Sequence, residues 1–290
     1  MKNKSMSILL ILLCLLLLNG CGDAKPAETT AAPVETQAAT QAPTTEPTEP
    51  EPVYEMQTVY LCVQEKMHNY EGGDFLKGYS YDEYGRKTEY FGINADGTRS
   101  WVTQYSYDEQ GNIVEERTGD SVSTMTYDEA GRLVSDISYY KDECRAENYF
   151  VYDEAGFVIE ETRIERYSGE VTYTFTMTYD ENHTQATIEQ FKNGEPNGVT
   201  TETYNAAGQV LTSTVHDANG NWKRTMTWTY DEDGRLLQEG NYSRSETQAD
   251  YLTLYTYDEN GLLLSKNVDY YYGYLLEFTY EPFEILVRVK

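Results

Sequence analysis

A short phrase that recurs along most of the chain constrains its fold more than any other feature. In the copy at Thr126–Leu133 the phrase is TYDEAGRL. Successive copies lie 20 to 27 residues apart, which gives a period of about 25 residues, and a degenerate ninth copy reads Tyr280-Glu281-Pro282. A fixed period of this length indicates that each copy is one unit of a repeat architecture. The eight repeated tyrosines are Tyr81, Tyr107, Tyr127, Tyr152, Tyr179, Tyr204, Tyr230 and Tyr257.

The residues that follow each tyrosine predict a hairpin corner. Asp is favoured at the first position of a type I turn, and Gly at the fourth accepts the left-handed backbone that closes a bulged hairpin. Two copies depart from this pattern, because Asn205 replaces the Asp and His183 replaces a Gly. Each unit also contains a second, looser corner, such as Lys192-Asn193-Gly194, so we expect two strands per repeat. The corner glycines are Gly85, Gly111, Gly131, Gly156, Gly208, Gly234 and Gly261.

Between corners, residue types alternate as they do in a half-buried strand. Aromatic and apolar residues at positions 173, 175, 177 and 179 alternate with threonines at 174, 176 and 178. No helical periodicity follows residue 54. The sequence therefore predicts an all-β fold over residues 54–290, a repetitive antiparallel hairpin sheet of about eight repeats, spiral or solenoid-like in form. Whether the sheet is open, spiral or closed stays undetermined at this point.

The first 53 residues predict where the protein is located in the cell and not how it folds. Lys2 and Lys4 precede an apolar run at Ile8–Leu18, which is shorter than the roughly 20 residues that a membrane-spanning helix requires. We expect residues 1–20 to be a signal peptide, because Gly20-Cys21 resembles the lipobox of bacterial lipoproteins, with the lipid attached to Cys21. Residues 21–53, rich in Thr, Pro, Ala and Glu, are expected to form a disordered linker. A tether of this reach suits a lipid anchor on the extracellular face of a Gram-positive membrane, with a periplasmic face as the alternative.

Charge and cysteine usage exclude several classes of partner. The formal net charge is −27 without any cluster of Lys or Arg, so nucleic acid and anionic headgroups are not expected partners. No spacing of Cys or His predicts a metal site, and no motif predicts a cofactor. Cys62 and Cys144 remain after the signal and anchor cysteines are set aside, and they are compatible either with a single disulfide or with free thiols.

The tyrosine-aspartate corner followed by Gly-Arg-Leu resembles the YD repeat of the RHS family. Gly131-Arg132-Leu133 and Gly234-Arg235-Leu236 match closely, and Gly85-Arg86 matches in part. The resemblance implies a long hairpin sheet that winds into a shell, displayed at a cell surface. The Asp-Pro dipeptides of the self-cleaving RHS toxin core do not occur in the sequence, so the resemblance does not imply toxin delivery.

Functional motifs are weaker than structural ones. His68, His183 and His216 lie in no nucleophile or metal motif, and the abundant acids are explained by turn chemistry, so we expect no catalytic activity. The sequence favours a surface module that binds cell-wall glycan or a surface protein, or that serves as a scaffold. The alternatives are an RHS-type relative acting through protein contacts and, last, a wall-associated hydrolase. Candidate stacking residues are Tyr139, Tyr140, Tyr270, Tyr271 and Tyr272.

Overall fold

The computed structural model describes residues 53–69, 73–269 and 273–289. All regular structure in these segments is β-strand. No helix in the described part of the chain has the length and hydrophobicity needed to cross a bilayer. The strands are β1 Tyr54–Asn69, β2 Gly73–Tyr81, β3 Lys87–Ile93, β4 Arg99–Tyr107, β5 Ile113–Thr118, β6 Ser121–Tyr127, β7 Leu133–Tyr140, β8 Glu143–Tyr152, β9 Val158–Glu165, β10 Val171–Tyr179, β11 Gln185–Lys192, β12 Glu195–Tyr204, β13 Val210–Asp217, β14 Trp222–Tyr230, β15 Leu236–Tyr242, β16 Tyr251–Tyr257, β17 Leu263–Asp269 and β18 Tyr274–Arg288.

The strands form a single closed antiparallel sheet. Each strand pairs with the next along the chain, and β18 returns to pair with β1, so the sheet of 18 strands is a barrel. The prediction of an all-β fold is confirmed. β1 and β18 pair along their whole length, from Tyr54–Arg288 at one end to Asn69–Tyr274 at the other, and this leaves no open edge along the two strands. Of the open, spiral and closed forms that the sequence leaves undetermined, the structure therefore has the closed one.

The repeated phrase forms the corners at one rim of the barrel. In the copy at Asp128, the Asp Oδ1 accepts hydrogen bonds from the backbone N–H of Ala130 (3.0 Å) and of Arg132 (2.9 Å). The N–H of Gly131 donates to the carbonyl of Asp128 (2.9 Å), and Gly131 has φ +76°. At the fourth position of another corner, His183 adopts φ +54°, so this non-glycine residue takes the same left-handed conformation.

Corner tyrosines link each repeat to the one before it. The Tyr127 hydroxyl donates to the carbonyl of Ile113 (2.8 Å), at the start of the preceding strand, and Tyr152 donates to Leu133 (2.7 Å) in the same way. Equivalent bonds are made by Tyr81, Tyr107, Tyr179, Tyr230 and Tyr257. Tyr204 departs from this pattern and donates to Glu202 instead (2.6 Å). The rim is thus a ladder of hydrogen bonds in which every corner tyrosine except Tyr204 satisfies a carbonyl of the preceding repeat.

Strand register separates an inner from an outer face. Directly paired residues of neighbouring strands have their side chains on the same face of the sheet. Glu65 pairs with Lys77, and Tyr79, which shares a face with Lys77, pairs with Tyr90. Following such pairs from strand to strand assigns the side chains to one of the two faces all around the barrel. The alternating threonines, such as those of β10 and β14, lie on the opposite, outer face, several of them exposed. Most buried side chains belong to the inner face: Glu65, Thr103, Ala186, Thr200, Ser213, Trp228, Asn241, Thr253 and Leu276.

The inner face encloses a space rather than a packed core. None of the large side chains in the described segments is completely buried, and inner residues such as Tyr105 and Glu116 stay partly exposed. Closed sheets of 16 to 18 strands are wide enough to leave an aqueous channel. The side chains that line this channel are therefore the ones that define a site inside the molecule.

Two strands continue past the tyrosine rim as a ribbon. The first half of β1 pairs with the second half of β18, beyond the bulge near Cys62. The ribbon packs against the first corner, at residues 82–85. There the N–H of Leu286 donates to the carbonyl of Glu83 (2.7 Å), and the ring of Tyr54 contacts the ring of Tyr84. The N–H of Val289 donates to the carbonyl of Val53 (2.8 Å), so the described chain begins and ends at the same place.

Candidate functional site

Aromatic side chains are concentrated on one part of the inner face, which we call the aromatic arc. It extends from β14 through β18 and β1 to β4, where register places the rings on the same face. All of its tyrosines and Trp101 are half-buried, whereas Trp228 is buried, with 3% of its surface exposed. The arc consists of Trp228, Tyr251, Tyr255, Tyr274, Tyr79, Tyr90, Trp101 and Tyr105.

Glu65 is at the centre of the first half of the aromatic arc. Its carboxylate accepts a hydrogen bond from the Lys77 ammonium (2.8 Å) and another from the Tyr79 hydroxyl (2.8 Å). The Tyr79 ring stacks on Tyr90, with centroids 5.1 Å apart, and Trp101 meets Tyr90 edge-on at 4.8 Å. The Glu65 side chain is only 9% exposed, so these bonds hold a buried charge and set the rings in fixed positions.

Glu239 has the same role in the second half of the aromatic arc. Its carboxylate accepts from the Trp228 indole N–H (3.2 Å) and from the hydroxyl of Tyr255. Lys266 lies over the Tyr255 ring, 5.3 Å from its centroid. The side chains of Glu239, Asn241, Tyr251, Lys266 and Tyr274 line a recess of about 330 Å³. Carboxylate, amide, ammonium and aromatic faces therefore converge on one concave surface.

Lys87 lies in a cage of three rings of the aromatic arc. Its ammonium is 4.8 Å from the centroid of Tyr79, 5.9 Å from that of Tyr90 and 5.8 Å from that of Tyr105. Burial lowers the pKa of Lys87, because removing water from the ammonium disfavours its charged form. The rings offset part of this cost through cation–π attraction.

A second part of the inner face is acidic and extends over β5, β7 and β9. We call Glu116, Asp136 and Glu161 the acidic arc. Burial raises the pKa of each of these carboxyls, and the charge of Asp136 raises that of Glu116 further. Arg163 lowers the pKa of Asp136 and of Glu161 in part, while its guanidinium donates to Asn148 (3.1 Å). The described segments contain no group of His, Cys, Asp or Glu arranged to hold a metal ion.

The residues singled out in the sequence occupy different places. Tyr139 lies on the outer face, whereas Tyr140 is on the inner face at the end of β7 and 42% exposed. Cys62 faces inwards and Cys144 outwards, and both thiols are free. The corner tyrosines and glycines lie at the rim described above. Cys21, Tyr270, Tyr271 and Tyr272 lie outside the described residues.

The aromatic arc itself was not recognised in the sequence. Tyr79, Tyr105, Trp228 and Tyr255 each stand two residues before a corner tyrosine, so alternation alone puts them on the same face as that tyrosine. This spacing of two residues is the sequence feature from which the aromatic arc could have been predicted. Glu65 and Glu239 gave no signal, because nothing in a chain with 49 acidic residues distinguishes two of them until the strands are in register.

Comparison with known proteins leaves the family open. The sequence matches no protein-family model and no curated protein. It is similar to a porin-like protein from Bacteroides uniformis with 14% identity and a TM-score of 0.41, over 76% of this chain and 96% of that chain.

Toxin complexes are also among the similar structures. A TcdB2-TccC3 structure without its hypervariable C-terminal region shares 14% identity over 69% of this chain, with a TM-score of 0.20. The Tc holotoxin pore of Photorhabdus luminescens shares 15% identity over 72%, with a TM-score of 0.22. The chain spans 14% of the length of either toxin chain, so this similarity is weak.

Proposed function

We propose that this protein is a bacterial surface lipoprotein whose barrel binds cell-wall polysaccharide on its aromatic arc. In this proposal the lipid on Cys21 holds the protein at the membrane, and the linker of residues 21–53 extends the barrel away from it. The extracellular face of a Gram-positive membrane is the proposed location. Catalysis is not part of the proposed function.

One observation carries the choice of ligand: half-exposed rings lie beside carboxylates that are already fixed. Sugar rings stack their C–H faces on aromatic side chains, and their hydroxyls hydrogen-bond to carboxylates, amides and ammonium groups. Glu65 and Glu239 are held in place by Lys77, Tyr79, Trp228 and Tyr255 before any ligand arrives. This preorganisation lowers the entropy cost of binding.

The charge of the molecule supports a neutral ligand. With a net charge of −27, the chain repels polyanions, whereas a neutral polysaccharide meets no such penalty. Part of the positive charge beside the aromatic arc is already neutralised, since Lys77 pairs with Glu65. We therefore propose neutral glycan rather than an anionic wall polymer.

The test is cosedimentation of the full chain, in detergent, with purified Gram-positive cell walls. The change of Tyr90 and Trp101 to Ala together removes two half-exposed rings on which sugars would stack, and we expect the affinity to fall about tenfold or more, which corresponds to ~1.4 kcal/mol. The matched control is Tyr149→Ala, because Tyr149 lies on the outer face and is 38% exposed.

Two further measurements separate the alternatives. If the triple change of Tyr270, Tyr271 and Tyr272 to Ala abolishes binding while the double variant binds normally, the site lies outside the aromatic arc. Release of reducing sugar from the walls by the intact chain would instead identify a hydrolase.

A second candidate function rests on the corner motif. The corner repeat and the hollow closed sheet support membership of the RHS-type repeat proteins, which points to protein contacts at the surface. Capture of a defined surface protein by crosslinking in cells, together with no binding to purified walls, would favour this candidate over glycan binding.

A further inference from the structure

The barrel offers no lateral entrance to the aromatic arc. Each of the 18 strands is hydrogen-bonded to a neighbour on both sides, including β1, which pairs with both β18 and β2. A ligand that reaches the inner face must therefore pass through one of the two ends.

The connections between strands are too short to close either end. The longest, residues 243–250, joins β15 to β16, and going out and back with eight residues reaches at most ~14 Å. With 18 strands about 4.8 Å apart, the circumference is roughly 86 Å and the diameter roughly 27 Å, even before strand tilt widens it. The strand connections therefore leave a passage at both ends.

Among the described residues, the contacts of the inner side chains also leave the passage free. The hydrogen bonds and ring contacts that hold the arc join neighbouring strands, as Trp228 joins Glu239 and as Tyr79 joins Tyr90. Asp136 and Glu161 at the acidic arc interact with Arg163 from the same region of the sheet. These contacts run around the circumference and not across it.

On this basis, and resting on the proposed function, we infer that the barrel binds an unbranched polysaccharide threaded through it by a free end. A strand of nine residues is roughly 30 Å long at about 3.4 Å per residue, so a polymer much longer than this projects from both ends. Such a polymer enters only end first. The ligand class is thereby narrowed to linear chains, because cyclic chains have no end and bulky branches do not pass.

The experiment uses the full chain in detergent and soluble strands of a neutral, unbranched polysaccharide purified from cell walls, with biotin at both ends. Streptavidin then caps the strands either before or after they meet the protein, and binding is followed by sedimentation. We expect strands capped first to lose binding, whereas strands capped second remain bound after dilution that releases uncapped strands. Strands capped at one end only are expected to bind like uncapped strands.

The outcomes separate this inference from the proposed function. If strands capped at both ends bind as fast as uncapped strands, threading is wrong and glycan binding stands. If uncapped strands do not bind, both are wrong. If an unfolded, reduced polypeptide threads through the barrel and glycan does not, the proposed class of ligand is wrong as well. The variant with Tyr90 and Trp101 changed to Ala serves as the control for adsorption outside the barrel.

Discussion

At the residue scale, the repeated phrase combines three interactions in one corner. The Asp carboxylate accepts backbone N–H groups of the turn, and this accounts for the lowered pKa of Asp128. The Arg that follows the glycine bonds back to this carboxylate and stacks on the next tyrosine of the rim. Arg132 does both, with its Nε 2.7 Å from Asp128 Oδ2 and its guanidinium 4.7 Å from the Tyr152 ring. Arg86 and Arg235 repeat the arrangement with Tyr107 and Tyr257.

Replacement of Arg132 with Ala is expected to destabilise the protein by about 1 kcal/mol. The change removes a half-buried ion pair, which contributes roughly 0.2–1 kcal/mol, and one cation–π contact, which contributes roughly 0.5–1 kcal/mol. Urea unfolding followed by circular dichroism measures the effect. Arg117→Ala is the matched control, because Arg117 pairs with Glu115 on the outer face and is 47% exposed, so its loss is expected to change little. An equal loss in both variants would contradict a special role for the corner arginine.

At the element scale, the alternation of residue types was enough to predict strands but not their closure. Corner chemistry is local, and the alternation of Thr with Tyr or Phe is visible over single strands such as β10. The pairing of β1 with β18 joins residues more than 200 positions apart, as Thr58 and Glu284 show, and no local pattern specifies it. The aromatic arc depends on this closure, because Tyr274 of β18 and Tyr79 of β2 become neighbours only through β1.

Two truncations distinguish the role of the ribbon half of β18 from the role of the half that closes the barrel. A chain ending at Glu281 loses most of the ribbon but keeps the pairs from Cys62–Tyr280 onwards, so we expect a folded monomer. A chain ending at residue 272 loses β18 entirely and exposes the edges of β1 and β17, and we expect it to associate through these edges. Analytical ultracentrifugation distinguishes the two, and a monomeric, folded product from the shorter chain would contradict closure by β18.

At the scale of the whole molecule, the sheet keeps many of the 28 tyrosines partly away from water. Burial raises the pKa of Tyr81 to about 12 and that of Tyr105 to about 12, against an ordinary value of 10.0. Both residues face inwards, Tyr105 opposite Glu116. The raised values mean that the folded state favours the neutral phenol.

In an alkaline titration, we therefore expect some tyrosines to lose their protons at a higher pH than an ordinary tyrosine does. A phenol whose pKa is raised on folding stabilises the fold fully below pH 10, and this stabilisation is lost as the pH rises through about 12. Absorbance at 295 nm should show a class of tyrosines that titrates only near the pH of unfolding, and Tyr105→Phe should remove one of this class. Titration of all tyrosines below pH 11 with the sheet intact would contradict the inward placement.

The adjacent ends of the described chain have a mechanical consequence. Val53 and Val289 meet at one point, and β1 runs from there between β18 and β2. Tension applied at Val53 therefore acts along β1, and it loads the hydrogen bonds to both neighbours in shear, many at a time, instead of unzipping them one after another. β1 is thus the strand best placed to carry a load applied at the start of the described chain.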